Sequence, residues 1–258
     1  MKPAQRWALI AGASLVASSA LAAPNDHVVI FSAGSLRGVV ADLASDVRAA
    51  YGIEVKPTFG GSGMLRERIE KGEAVDLFLS ADVASPRKLE MQGRAVVPAI
   101  PFARNRMCIL SHKSLGLNAS NLIERLLEKN VKLKTSTPVA DPGGDYAWAI
   151  FDRIDAQRPG TGDLLKAKAQ ASMSLPAEQA DARITYCSAT ATLEKETPEL
   201  TDFVVSGPLD PHPMDGMVVL TNREASLRVA LYLLSDKGQA IIERERLVPL
   251  AEHPATPP

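Results

Sequence analysis

The sequence predicts an α/β protein with helices packed on both faces of its sheets, and three observations carry that prediction. Apolar runs of strand length alternate with segments whose apolar residues recur at helical spacing. Turns rich in Gly and Ser join strand to helix. The chain, at 258 residues, is long enough for one large or two ordinary domains. Strand–turn–helix repeated in this way implies mostly parallel sheets with helices on both sides.

The elements follow in order. "HVVIFSAGS", from His27, reads as a buried strand running into a small-residue turn. Leu36, Val39, Val40, Leu43 and Val47 then mark one face of a helix that stops at Gly52. "IEVKPTFGGS" is a second strand and turn, leading into a helix over Met64–Lys71. "AVDLFLSAD" is a third strand, and a helix around Ser85–Gln92 ends at Gly93. "RMCILSHK" is a strand again. "VKLKTSTPVADPGGDYAWAIFDRI" combines a strand, a Gly-rich turn and a helix from about Tyr146. Strands are expected at "ARITYCSA", "LTDFVVSG" and "GMVVLTN", and one last helix from about Glu224 to Arg244. The Pro-rich "AEHPATPP" closes the chain as a frayed tail.

The N-terminus has the form of an export signal. Lys2 and Arg6 precede an apolar run from Trp7 to about Ala20, and Ala20-Leu21-Ala22 supplies the small residues of a cleavage site. The run is short for a membrane span. Residues 1–22 are therefore expected to be a signal peptide, and the mature protein periplasmic.

Composition narrows the function classes. The chain carries 29 Lys and Arg against 30 Asp and Glu, and loss of Lys2 and Arg6 with a leader makes it more acidic. No basic stripe marks a nucleic-acid partner. Aromatic residues make up 5% of the chain, too few to argue for stacking on sugars or bases. Cys108 and Cys187 fit either a disulfide, which an oxidising compartment permits, or two buried thiols on apolar strands.

Two strand-to-helix turns present a serine: Ser35 in "SAGSLRG" and Ser62 in "FGGSGML". A third, "DPGGDYAWA", presents glycines and an acidic or hydroxyl cap. The first turn of a helix leaves backbone N–H groups unpaired at the positive end of the dipole. Glycine lets a ligand approach that backbone, and a serine hydroxyl adds a donor, so several such turns in one cleft make an anion seat. The plainer alternative is that each serine caps its own helix. A phosphate-cradling loop needs a lysine that is missing here. Gly60-Gly61-Ser62-Gly63-Met64 fails the nucleophile-elbow pattern at its last position. His27, His112, His212 and His253 stand in no triad context, and no His/Cys cluster or H-E-x-x-H marks a bare metal site. No catalytic residue is assigned, and an enzyme is not expected.

At these residues the sequence resembles the periplasmic molybdate-binding proteins of ABC transporters, within the type II solute-binding fold. The resemblance rests on "FSAGSL", "FGGSGML", "AVDLFLSAD", "ADPGGDYA" and "ITYCSA" in that order, and covers nearly the whole chain after the leader. It implies two lobes, one over residues 24–102 and 216–258, the other over 103–215, with the ligand in the cleft between them. It implies Ser35, Ser62, the Ala147 backbone N–H and Tyr186 as ligand-binding groups for molybdate or tungstate, with no cofactor. It also implies a membrane permease as partner and a monomeric binding protein. A further backbone donor expected before the tyrosine has no clear counterpart in "QASMSLPAEQADARITY". Asp145 and Tyr146 replace a smaller, neutral pair, so Asp145 must cap its own helix and point away. The other solutes weighed are sulfate and a metal ion held by Asp141 and Asp145; an exported hydrolase using Ser62 is the rival class. In that fold the "RMCILS" strand would lie beside "ITYCSA", making Cys108 and Cys187 neighbours.

Overall fold

The computed structural model describes residues 26–250. The expected signal peptide and the Pro-rich tail from Ala251 lie outside the described residues. In chain order, β1 (His27–Ala33), α1 (Arg37–Tyr51), β2 (Glu54–Gly60), α2 (Ser62–Glu70), β3 (Leu77–Ser80), α3 (Ala84–Met91) and β4 (Ile100–Arg104) form the first stretch. A second contains β5 (Met107–His112), α4 (Leu122–Leu127), β6 (Leu133–Lys134), α5 (Pro142–Gln157), α6 (Thr161–Ala171), β7 (Ala182–Tyr186), α7 (Thr190–Glu196) and β8 (Leu200–Val204). The last contains β9 (Met214–Val219), α8 (Glu224–Leu234), α9 (Asp236–Arg244) and β10 (Val248–Pro249).

Local chemistry accounts for these elements. Val39, Val40, Leu43 and Val47 sit on one face of α1 and are buried, so that stripe docks the helix on its sheet. The helix ends where Gly52 turns left-handed at φ 71° and its N–H closes on the Arg48 carbonyl. Helix α5 begins at Pro142, four residues before the expected start, because Asp141 Oδ1 accepts from the Gly143 N–H at 2.8 Å and proline fits the first helical position. The expected single helix over Glu224–Arg244 is two. Ser235 is extended, ends α8 and caps α9 through its hydroxyl, which breaks the ladder between them. Helices α4 and α6 lie in the stretch that sequence periodicity left unassigned.

Two sheets result, a six-stranded one in the order β10-β4-β9-β3-β1-β2 and a four-stranded one in the order β6-β7-β5-β8. The first draws on both ends of the described chain, the second on the middle. The expectation of mostly parallel sheets is corrected. Parallel pairing is confined to β1–β2, β1–β3 and β6–β7, while β4, β5 and β9 pair antiparallel with their neighbours. These three flank the crossings between the sheets, and a chain that leaves one sheet and later returns to it lays its strands in opposite directions.

Strands β5 and β7 are neighbours with Cys108 opposite Thr185, and the Cys187 N–H donates to the Arg106 carbonyl at 2.9 Å. This register brings the two cysteines to 4.9 Å between Cα atoms, and they are joined as a disulfide. The alternative of two buried thiols is thereby settled against. The bond joins cysteines 79 residues apart in sequence, a closure that a chain-entropy account values at about 4.5 kcal/mol.

Candidate functional site

The serines come first, because their two readings predict different hydrogen bonds. Ser35 lies in a short 3-10 turn (Gly34–Leu36) ahead of α1, and its Oγ is buried with no hydrogen-bond partner. Ser62 is the first residue of α2, whose cap is Gly61, and its Oγ instead accepts from the Ala81 N–H at 3.1 Å, beyond the end of β3. Neither serine caps its own helix. Ser62 keeps its hydroxyl proton free to donate, and Ser35 keeps its whole hydrogen-bonding capacity.

Tyr186 reaches the same place from the other sheet. It ends β7, is buried, and donates from its hydroxyl to the Ala81 carbonyl at 3.3 Å. Ala81 thus receives Ser62 on its N–H and Tyr186 on its C=O, which ties the six-stranded half to the four-stranded half across one peptide. The turn holding Ser35 packs against the turn Cys187–Ala189 that follows Tyr186. Ser35, Ser62 and Tyr186 are therefore gathered at the carboxyl ends of β1, β2 and β7, where open α/β sheets place their ligands.

Ala147 is placed differently from expectation. It is the sixth residue of α5 and fully buried, so the i→i−4 ladder takes its N–H. The N–H groups that precede that ladder belong to the first turn. Of these, Gly143 already donates to Asp141 Oδ1 and Gly144 to the Asp141 carbonyl at 2.9 Å. The donor expected before Tyr186 also has no helix of its own, since α6 ends at Ala171 and only a 3-10 turn, Ala177–Gln179, precedes β7.

The carboxylates are mostly turned away. Asp145 Oδ1 accepts from the Val139 N–H at 2.9 Å, pinning a β-branched residue at φ 70°, an otherwise unfavourable conformation. Asp82 spends Oδ1 on the Ser85 N–H at 2.6 Å and Oδ2 on the Ser85 hydroxyl at 3.1 Å, which organises the start of α3. Burial pushes the Asp141 carboxyl up from its ordinary value, against the Gly143 bond that favours its ionised form. With Asp141 and Asp145 both bonded to backbone, they do not converge on a cation, and among the described residues no cluster of three metal-ligating side chains occurs. His27, His112 and His212 lie at a strand start, a strand end and a loop, His253 lies outside the described residues, and Ser62's partner is a backbone amide, so no hydrolase dyad forms among the described residues.

The two halves meet backbone to backbone here. A methyl on Gly63 would come within 2.5 Å of the Val139 carbonyl oxygen, and one on Gly61 within 2.8 Å of that of Ala140. Only glycine lets the first turn of α2 seat on that loop. A cavity of about 380 Å³ opens beside this contact, lined by Gly61, Met64, Lys134, Ser136, Asp141 and Arg183 among others; Ser35, Ser62 and Tyr186 do not line it.

Comparison with known proteins bears on this geometry. Residues 28–245 match the family of bacterial extracellular solute-binding proteins. The chain belongs to that family. A curated relative from Pasteurella multocida, an uncharacterized protein, is 38% identical over 148 residues, covering 57% of this chain and 61% of the relative. The molybdate-binding protein ModA of Azotobacter vinelandii is 33% identical over 152 residues, 58% of each chain. The chain thus covers less than two thirds of the length of either relative. In fold it resembles the periplasmic molybdate-binding protein of Azotobacter vinelandii at TM-score 0.73 and 19% identity, covering 87% of this chain and 100% of that one. It resembles the sulfate-binding protein SubI of Mycobacterium tuberculosis equally, at TM-score 0.73 and 12% identity, covering 87% of each. Such likenesses establish the fold, two sheets flanked by helices. Among the described residues no helix is long and apolar enough to cross a membrane.

Burial and three acidic neighbours raise the tyrosines. Burial first, then Asp141, Asp215, Tyr146 and Asp82, push the Tyr186 hydroxyl well above its ordinary value, and Tyr146 is pushed up to about 12, again chiefly by burial. Both hydroxyls stay protonated over any physiological pH and act as donors. Sequence reasoning overlooked Asp215 and Ala81. A buried aspartate in "HPMDGMVV" has a visible signal, a charge at the start of an apolar strand, whereas Ala81 has none.

Proposed function

We propose that this chain is an exported, monomeric solute-binding protein that captures molybdate, or tungstate of similar size, and delivers it to an ABC import permease. The observation that carries the reading is the state of the serines: two hydroxyls at strand-to-helix turns, neither used to cap a helix, gathered with a buried tyrosine whose hydroxyl stays protonated. Such a set suits a fully deprotonated tetrahedral oxyanion, because each hydroxyl can turn a proton toward it and none of the three carries a negative charge to repel it. First-turn N–H groups of α2 add to it. The relatives named for molybdate support that anion; the likeness to a sulfate binder makes sulfate the nearest competitor.

Calorimetric titration of the purified mature chain against molybdate, tungstate, sulfate and phosphate tests this. Molybdate and tungstate bind with similar affinity, and sulfate, being smaller, more weakly. Phosphate keeps a proton near neutrality, which takes a hydroxyl lone pair where the deprotonated anion would receive a donated bond, so phosphate binding as tight as molybdate overturns the proposal. Ser35→Ala and Ser62→Ala each weaken binding by roughly 1.5–3 kcal/mol without abolishing it. Unchanged titrations in both variants move the site elsewhere.

A further inference from the structure

Asp215 lies in β9, in the third residue pair of its ladder with β4, opposite Ala103 at an irregularity. It is fully buried, and both carboxyl oxygens lack a hydrogen-bond partner. A buried charge in that condition is among the costliest groups a protein can hold, and it escapes the cost by taking a proton. Its position is informative. The antiparallel register of β3 and β9 runs from Leu77↔Val219 to Ser80↔Gly216; continued by one step, it sets Asp215 opposite Ala81. That is the peptide on which Ser62 and Tyr186 converge. Opposed residues of an antiparallel pair project to the same face.

We propose that Asp215 is a further ligand-binding residue, a neutral carboxylic acid that donates a hydrogen bond to the bound oxyanion and so couples binding to a proton. The proposal rests on the oxyanion reading above. The groups facing Asp215 agree with it. Asp82, from the loop after β3, repels a second negative charge, and Asn105, from the β4–β5 connection, favours the ionised form without reaching hydrogen-bond geometry. Tyr146 of α5 and Tyr186 of β7 are neutral donors that feel its field. No cation acts on it among the described residues. Burial, the largest effect, holds its carboxyl pKa well above the ordinary range. As a neutral acid Asp215 matches the rest of the site, a donor without a charge; as a carboxylate it would repel the dianion.

The test is titration of the mature protein with molybdate from neutral to alkaline pH, where the ligand's own charge is constant. Affinity of the parent falls by up to about tenfold per unit of pH once Asp215 ionises. In that range binding takes up one proton, read from the dependence of calorimetric heat on buffer ionisation. Asp215→Asn keeps a neutral donor, binds within a fewfold of the parent near neutrality, and loses both the proton uptake and that part of the pH dependence. Asp215→Ala binds about ten- to a hundredfold more weakly. Identical pH profiles in the parent and Asp215→Asn overturn the proposal, as does unaltered affinity in Asp215→Ala. A carbon NMR titration of the Asp215 carboxyl in ligand-free parent protein reads the proton directly, whether or not the variants fold. A carboxyl already ionised at neutral pH there ends the proposal. If the carboxyl is protonated yet no tetrahedral anion binds, the oxyanion reading fails and takes the donor role with it.

Discussion

Asp76 and Asp215 are both buried aspartates at the two ends of the six-stranded sheet, and they are in opposite electrostatic states. Asp76 immediately precedes β3 and accepts from the Val29 N–H at 2.9 Å, the Thr221 hydroxyl at 2.6 Å and Arg223 at 3.0 Å. Burial works to raise its carboxyl, but those hydrogen bonds and the Arg223 charge outweigh it and hold the pKa below the ordinary value. Asp215, at the other end, has the burial and none of the partners, and is raised. Burial alone therefore does not set the charge of an acid; the count of donors aimed at it does. The amino end of β3 is built as a closed ion-pair network, and the carboxyl end is left with unspent donors. Unspent hydrogen-bonding capacity costs stability and is what a ligand uses.

One substitution made at both ends sharpens the contrast most. Asp76→Asn removes the charge that Arg223 pairs with and turns amide hydrogens toward existing donors, costing about 3 kcal/mol in urea denaturation at neutral pH. Because the pKa of Asp76 is depressed on folding, its contribution is present above the unfolded-state value and is lost as pH falls through the folded one. The gap between parent and variant therefore closes in acid. In acid, below the unfolded-state pKa, Asp215→Asn changes stability by less than about 1 kcal/mol. Its pH dependence has the reverse sign. A folded pKa raised above the unfolded value gives stability that is fully present below the unfolded pKa and lost as pH rises toward the folded one. The variant thus gains on the parent with rising pH. Equal slopes in the two variants would break the comparison.

Hydroxyls extend it at smaller scale. Thr221→Val deletes the bond to Asp76 and costs about 1.5–2 kcal/mol of stability. Ser35→Ala removes a buried oxygen that has no partner and leaves the thermal midpoint unchanged or slightly raised, while binding weakens. A Ser35→Ala protein as destabilised as Thr221→Val would mean that Ser35 is structural after all.

Local patterns made much of this legible in advance. Strands β1, β3, β5, β7 and β9 appear as apolar runs, and the stripe of Val39, Val40, Leu43 and Val47 marks α1, because side-chain periodicity is a property of the chain itself. The glycine-serine turns and the tyrosine of "ITYCSA" were likewise visible as candidate donors. The reading of α5 from Tyr146 failed because a cap is a hydrogen bond, and Asp141 had to be seen reaching Gly143. The placement of Ala147 failed for the same reason: four residues of helix decide whether an N–H is free.

The alternation of strands and helices and the glycine-serine turns between them belong to the sequence alone, since hydrophobic periodicity and turn chemistry act over a few neighbouring residues. Four matters were decided only by tertiary structure. Antiparallel pairing of β4, β5 and β9 depends on how the chain crosses between sheets. The Cys108–Cys187 bond depends on the register of β5 against β7. The freedom of the Ser35 and Ser62 hydroxyls depends on which distant backbone meets them, nothing for one and Ala81 for the other. The state of Asp215 depends on every element packed around it. In each case the deciding partner lies far along the chain, and hydrogen bonds and desolvation are governed by distance in space.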